Sequence, residues 1–249
     1  LFTGSLDGTV KIWCYHSGLC VRTLTAFENT GVISLAYRGR ILCVGGQSGE
    51  LRVFDTAKGT VFTLPGHSDW VNCIRFVSDR TLLSCSDDGT IKVWDLDTRQ
   101  CVSTLTGHTH HVQWIHLLDD LHTHPSLSPS IRASDSASAT DSSQPAPLPF
   151  AISASLDNTL RIWDLSTGRC IETLFGHVEG IWSVALDALR IASSSNDGEV
   201  KVWDTTSRKC IHTLKVSDSS VNCLTLSDTR IVCGDNEGVV TIYDFRNNK

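Results

Sequence analysis

Residues 86–105 read "SDDGTIKVWDLDTRQCVSTL", and this stretch decides how the chain folds. Thr90-Ile91-Lys92-Val93 alternates polar and apolar side chains up to Trp94, the period of a strand with two distinct faces. Asp88-Gly89 just before it is the dipeptide that a tight hairpin requires. The same text recurs as "SLDGTVKIWCYHSGLCVRTL" from Ser5, "SLDNTLRIWDLSTGRCIETL" from Ser155 and "SNDGEVKVWDTTSRKCIHTL" from Ser195. Weaker copies start at Gly46 ("GQSGELRVFDTAKGTVFTL") and Asp235 ("DNEGVVTIYDFRNNK"). Trp13, Phe54, Trp94, Trp163, Trp203 and Tyr243 mark the copies, at spacings of 41, 40, 69, 40 and 40 residues. Self-similarity at this period is the signature of a repeat architecture, in which each unit buries its apolar face only against its neighbours.

Six copies in register resemble the WD-repeat family along nearly the whole chain. Four short strands per copy, a to d, then form one blade of an all-β propeller. The resemblance implies a buried hydrogen-bonded chain in each blade. Its members are the His of a Gly-His dipeptide, the Asp of the b–c turn, a Ser or Thr on strand b, and the strand-c Trp. Three blades carry the matching set: His67/Asp88/Trp94, His108/Asp157/Trp163 and His177/Asp197/Trp203. The serine is open between alternate positions, Ser84 or Ser86 in the first of these. A Ser/His/Asp catalytic triad could be read into the same residues. Recurrence once per blade favours a packing network instead, and no catalytic residue is assigned. Two blades depart: Ala26-Phe27 replaces Gly-His and Ser48 the Asp in one, while the last has Val216-Ser217, Glu237 and Tyr243. Lower rigidity is expected there.

Residues 1–13 supply only strands b and c, and the chain stops soon after strand c of the sixth copy. A fragment of a seven- or eight-bladed ring is therefore expected over residues 1–249, because open sheet edges invite aggregation. The excess in the 69-residue spacing falls at 119–149, where Ser, Ala, Pro and Asp dominate. Such a composition buries too little apolar surface to order itself, and a disordered a–b loop is expected. Ser128-Pro129 makes Ser128 a candidate phosphosite for a proline-directed kinase.

Six of the ten histidines lie in "HTHHVQWIHLLDDLHTH", residues 108–124. Imidazole and carboxylate are good zinc ligands, yet the repeat register separates these side chains. His108 belongs to a blade network, His110 and His111 to the loop before strand a, and His116 to that strand. His122 and His124 follow Asp119 and Asp120 into the insertion. No metal and no cofactor is assigned. Glycines such as Gly8, Gly89 and Gly198 recur as turn residues, which leaves no nucleotide-binding loop.

Net charge is −6, with charged residues 19% and apolar residues 41% of the chain. The acidic balance disfavours nucleic acid as a partner. No apolar run approaches the roughly 18–20 residues of a membrane span, and no membrane partner is expected. The opening "LFTGSLDGTVKIW" has no secretory-signal pattern. Ten cysteines could suggest disulfides, but Cys20, Cys101, Cys170 and Cys210 hold one equivalent position in different blades. They read as buried, reduced packing residues, which implies a reducing nucleus or cytoplasm.

In propellers of this family partners commonly bind the rim that carries the d–a and b–c loops. The residues expected there are Trp70, Asn72, Asp87, His111, Gln113, Leu156, Trp182, Asn196 and Asn222. Trp70 and Trp182 are not strand-c tryptophans, so they read either as partner contacts or as inner-wall packing.

"TLPGHSDWVNCIRF", "LLSCSDDGTIKVWD", "SASLDNTLRIWDLSTGRCIETLFGHVEGIWSVA" and the Ser/Asp-rich insertion resemble the fungal sulfur-controller proteins. These are F-box/WD-repeat substrate receptors of SCF ubiquitin ligases. The resemblance implies a propeller that positions a protein substrate or peptide, with the adaptor bound through an F-box N-terminal to it. No F-box lies within these residues, so adaptor binding is expected to fall on none of them. Reported substrates of such receptors include transcription activators of sulfur-amino-acid genes. Some relatives read phosphorylated peptides with arginines, whereas Ile33, Asn72, Gln113, Trp182 and Asn222 stand at the corresponding positions. An apolar or hydrogen-bonding peptide is expected without a need for phosphate. A WD-repeat scaffold in RNA processing, chromatin or trafficking is the alternative reading.

Overall fold

The computed structural model describes residues 1–118 and 150–246. The expected insertion at 119–149, with Ser128, lies outside the described residues. Among the described residues twenty-two strands form six antiparallel sheets, and within each sheet consecutive strands pair. The first sheet holds β1 (Phe2–Gly4), β2 (Thr9–Trp13) and β3 (Cys20–Thr25). The second holds β4 (Val32–Arg38), β5 (Ile41–Gly46), β6 (Leu51–Asp55) and β7 (Thr60–Leu64). In the third are β8 (Val71–Phe76), β9 (Thr81–Ser86), β10 (Ile91–Asp95) and β11 (Gln100–Leu105). The fourth contains β12 (Val112–Leu118), β13 (Phe150–Ser155), β14 (Thr159–Asp164) and β15 (Arg169–Phe175). Strands β16 (Ile181–Leu186), β17 (Arg190–Ser195), β18 (Glu199–Asp204) and β19 (Cys210–Lys215) make the fifth. The sixth has β20 (Val221–Leu226), β21 (Arg230–Asp235) and β22 (Val240–Asp244). The sheets follow the sequence repeats one for one, and β4 packs on β8, β8 on β12, β12 on β16 and β16 on β20 along the inner wall.

The core lies between blades rather than within them. One cluster joins Cys43, Leu51, Val53 and Leu64 of the second blade to Val71, Ile74, Leu82 and Trp94 of the third. Trp163 likewise packs with Leu83, Cys85 and Ile91 of the third blade, and Trp203 with Ile152, Leu160 and Ile162 of the fourth. Trp94, Trp163 and Trp203 therefore each insert between their own sheet and the preceding one. Strand b, flanked by neighbours on both faces, is buried along five consecutive residues in β5, β9, β13 and β17. A lone blade would expose all of this surface, so stability is shared between neighbours.

Local chemistry explains the recurring words. The Asp88 carboxylate accepts from Thr90 N (2.9 Å) and Thr90 Oγ1 (2.6 Å), which closes the b–c turn across Gly89 at φ 79°. That φ is readily adopted by glycine, and in the fourth blade Asn158 holds it at φ 68°. The glycine of Gly-His is dictated by packing: a Cβ on Gly66 would meet Trp94 Cη2 at 2.9 Å.

The structure corrects one expectation. Cys20, Cys101 and Cys210 are exposed and Cys170 is half-buried, although all ten cysteines are free thiols. They stand on the outermost strand of their blades, paired across to Trp13, Trp94, Trp163 and Trp203. A bulge follows each, and the thiol turns back onto the carbonyl two residues on. Cys101 Sγ reaches Ser103 O at 3.3 Å and Cys210 Sγ reaches His212 O at 3.3 Å. Sequence equivalence marked a repeated position without revealing that the strand faces solvent.

Candidate functional site

Three blades carry complete polar chains. His67 Nδ1 donates to Asp88 Oδ2 (2.8 Å), Ser84 Oγ bonds His67 Nε2 (2.8 Å), and Trp94 Nε1 donates to Ser84 Oγ (2.8 Å). His108 bonds Asp157 (2.7 Å) and Ser153 (2.6 Å), and Trp163 donates to Ser153 (2.8 Å). His177 bonds Asp197 (3.1 Å) and Ser193 (2.8 Å), and Trp203 donates to Ser193 (2.9 Å). A carboxylate can only accept, so Nδ1 carries the hydrogen; in the neutral imidazole Nε2 is then the acceptor, and the serine donates to it while accepting from the indole.

The inner of the two alternating serines is thus the network member. Ser86, the other candidate, donates to Asp69 O at 2.9 Å and anchors the loop before β8. Burial opposes ionisation of Asp88 and Asp157, but the histidine and threonine hydrogen bonds outweigh it and hold both carboxyls below the usual range. Burial disfavours charge on His108 and His177 and keeps their pKa low against the pull of Asp157 and Asp197. Ser84, Ser153 and Ser193 are fully buried, so a substrate carbonyl has no path to these hydroxyls. Their role is to fix the top loops onto the sheets.

The second blade replaces the whole chain at once. Phe27 stands where His does, Val44 where Ser does, and Phe54 where Trp does. Phe27 and Val44 are buried in one apolar cluster with Ala26 and Leu42, and Phe54 packs against it. Arg52 lies over the Phe27 ring at 5.2 Å. No polar group is left stranded, so the departure is a consistent apolar substitute. In the sixth blade Ser217 Oγ donates to Asp235 Oδ2 (2.8 Å), and Tyr243 Oη donates to Lys215 O (3.3 Å).

The inner strands share a second device. Pairing of strand a with strand b slips between Val32 and Ser34, Val71 and Cys73, Val112 and Trp114, Ile181 and Ser183, and Val221 and Cys223. The skipped residues are Ile33, Asn72, Gln113, Trp182 and Asn222. A bulge releases one residue from the ladder and re-aims its side chain. All five skipped residues line one cavity of about 380 Å³ at the inner mouth, with Trp70, Asp87, His111, Trp114 and Leu156.

Asp87 stands among the amides of this mouth. Its Oδ1 accepts from Asn72 Nδ2 (2.7 Å) and Gln113 Nε2 (3.0 Å), and His111 Nδ1 lies at 3.2 Å. Asn72 Nδ2 also donates to Val112 O (3.0 Å), which ties the third blade to the fourth. Trp182 Nε1 donates to Asn196 Oδ1 (2.6 Å), and Ser220 Oγ joins Asn196 to Asn222 at 2.8 and 2.6 Å. Trp70 keeps 42% of its surface exposed.

Eight of the nine residues expected on this rim therefore line one cavity, while Asn196 supports it from behind by holding Trp182. Sequence reasoning missed Trp114, which lines the cavity and carries Arg75 over its ring at 4.9 Å. Strict alternation puts Trp114 on the face opposite Gln113, and only the bulge lets both reach the mouth. The histidine-rich stretch disperses as far as it is described. His108 is in its network, the His110 and His111 rings meet tilted at 43° with centroids 4.4 Å apart, and His116 Nδ1 bonds Leu117 O at 3.0 Å. Asp119, Asp120, His122 and His124 lie outside the described residues. Among the described residues no three His, Cys, Asp or Glu side chains converge as metal ligands would.

The model of the WD domain, G-beta repeat, matches residues 1–14, 58–95, 134–164 and 168–204. "Probable E3 ubiquitin ligase complex SCF subunit sconB" of Talaromyces stipitatus is 39% identical over 154 residues, covering 54% of this chain and 23% of its own. Its counterpart in Emericella nidulans is 39% identical over 165 residues, covering 54% and 24%. The scon-2 subunit of Neurospora crassa is 34% identical over 189 residues, covering 54% and 29%. The chain spans about a quarter of the length of these relatives. Repeats, blade networks and these similarities together show that the chain carries WD repeats and is similar over half its length to SCF ubiquitin ligase subunits of the sconB type.

Proposed function

We propose that this chain is the substrate-recognition propeller of an SCF-type ubiquitin ligase. The observation that carries the reading is the convergence of five bulged side chains from five consecutive blades on one mouth. A mouth built by five blades is rigid, concave and mixed in chemistry, as peptide-binding sites are. The propeller performs no chemistry of its own: it holds a protein near a ubiquitin-carrying enzyme, and catalysis gains from proximity. The substrates are regulators of sulfur-amino-acid genes, by analogy with the sulfur-controller relatives. Adaptor contact falls to an F-box outside these residues. Ten free thiols suit a nuclear and cytoplasmic protein.

None of the ten lining residues is Lys or Arg, which supports recognition that does not require phosphate. The test is affinity capture with the full-length protein, comparing wild type with Trp182→Ala and Gln113→Ala. Loss of partner capture and slower turnover of the captured protein are expected. Unchanged capture by both variants removes the mouth from the site. Captured proteins that escape ubiquitination would instead make the chain a scaffold of another complex.

A further inference from the structure

The geometry points to a basic side chain, lysine or arginine, as the group of the protein partner that seats in the mouth. This rests on the reading of the mouth as a peptide site and names what it selects. Asn72 and Gln113 both turn their amide N–H groups onto Asp87 Oδ1. Their carbonyl oxygens are left as acceptors, and the Asn222 oxygen accepts only from Ser220. Among the described residues, Asp87 Oδ2 has no hydrogen-bond or ion-pair partner. The Asp87 side chain is only 15% exposed. The cavity is therefore rich in acceptors, and its one carboxylate faces no Lys or Arg, only the His111 ring at 3.2 Å from Oδ1.

A carboxylate withdrawn from water is costly unless a positive charge answers it. The fitting ligand is a group with donors only: an ammonium has three and a guanidinium five. Trp70 and Trp182 line the same cavity, and an indole face attracts a cation. The hydrogen bond from Trp182 to Asn196 holds that ring in place before any ligand arrives. A phosphate or carboxylate would meet the Asp87 charge. A neutral apolar side chain would gain the tryptophans but leave the acceptors unpaired.

The test uses a random dodecapeptide display library panned on this chain and counter-selected on Trp182→Ala and Gln113→Ala. Recovered peptides are expected to share a lysine or arginine. Changing that residue to norleucine should weaken binding tenfold or more, and so should Asp87→Asn in the protein. Asp87→Asn keeps an oxygen for Asn72 and Gln113, so its thermal midpoint should match wild type. Recovered peptides that lack a shared basic residue, or that bind Asp87→Asn as tightly as wild type, overturn this inference and leave the peptide site standing. Recovery of no peptide at all removes the peptide site and the inference with it.

Discussion

Two neighbouring serines on β17 should respond to the same substitution with opposite signs. Ser193 Oγ bonds His177 Nε2 at 2.8 Å and accepts from Trp203 Nε1 at 2.9 Å. Ser193→Ala strands both buried groups at once. Each loses a partner worth about 1–3 kcal/mol when left unsatisfied, so the fold should lose about 2–6 kcal/mol. For a chain of this size that is a fall in thermal midpoint of roughly 4–24 °C. Ser194 is equally buried, yet its hydroxyl has no hydrogen-bond partner among the described residues. Ser194→Ala removes an unanswered polar group, and the fold should be unchanged or gain up to about 1 kcal/mol. The equivalent residue of the fourth blade is Ala154, fully buried, so alanine fits this environment. Urea denaturation followed by tryptophan fluorescence gives both values from the midpoints, provided the slopes agree. The reasoning fails if Ser193→Ala lies within about 0.5 kcal/mol of wild type, a change ordinary for surface positions. It also fails if Ser194→Ala is as damaging as Ser193→Ala.

Three further outcomes follow from the same chemistry. Phe27→His restores the sequence motif in the second blade without its partners, since Val44 and Phe54 offer no hydrogen bond; a loss of about 2–4 kcal/mol in urea is expected, and an unchanged midpoint would falsify the apolar-substitute account. His108 and His177 have lowered pKa values, so the unfolded chain takes up protons near pH 6.5 while the folded chain resists. Stability should then fall as pH drops from about 7 to 5, with a second loss below about pH 4 as the depressed Asp88, Asp157 and Asp197 carboxyls protonate; a urea midpoint that stays flat from pH 7 to 5 contradicts this. Finally, Cys20, Cys101, Cys210 and Cys223 are exposed whereas Cys43, Cys73, Cys85 and Cys233 are buried. Iodoacetamide labelling mapped by mass spectrometry should modify the first four in the folded protein and the second four only after unfolding, and early labelling of Cys85 would contradict the packing.

The sequence by itself determined the repeat, the six blades and the polar chains of three of them. Period-two patterning, turn dipeptides and a recurring Gly-His are local signals, and each copy reinforces the next. The same period limited the reading. Ser84 and Ser86 lie two residues apart on one strand face, so alternation could not choose between them; only the positions of the His67 and Trp94 rings did. Cys101 repeats as faithfully as Trp94, yet one is exposed on the outer strand and the other buried between blades. The inner mouth depended most on tertiary structure. Bulges at Ile33, Asn72, Gln113, Trp182 and Asn222 break the alternation, and five strands distant in sequence bring those residues to one cavity. A pattern along one strand does not encode that convergence, because it is made by the packing of one blade against the next.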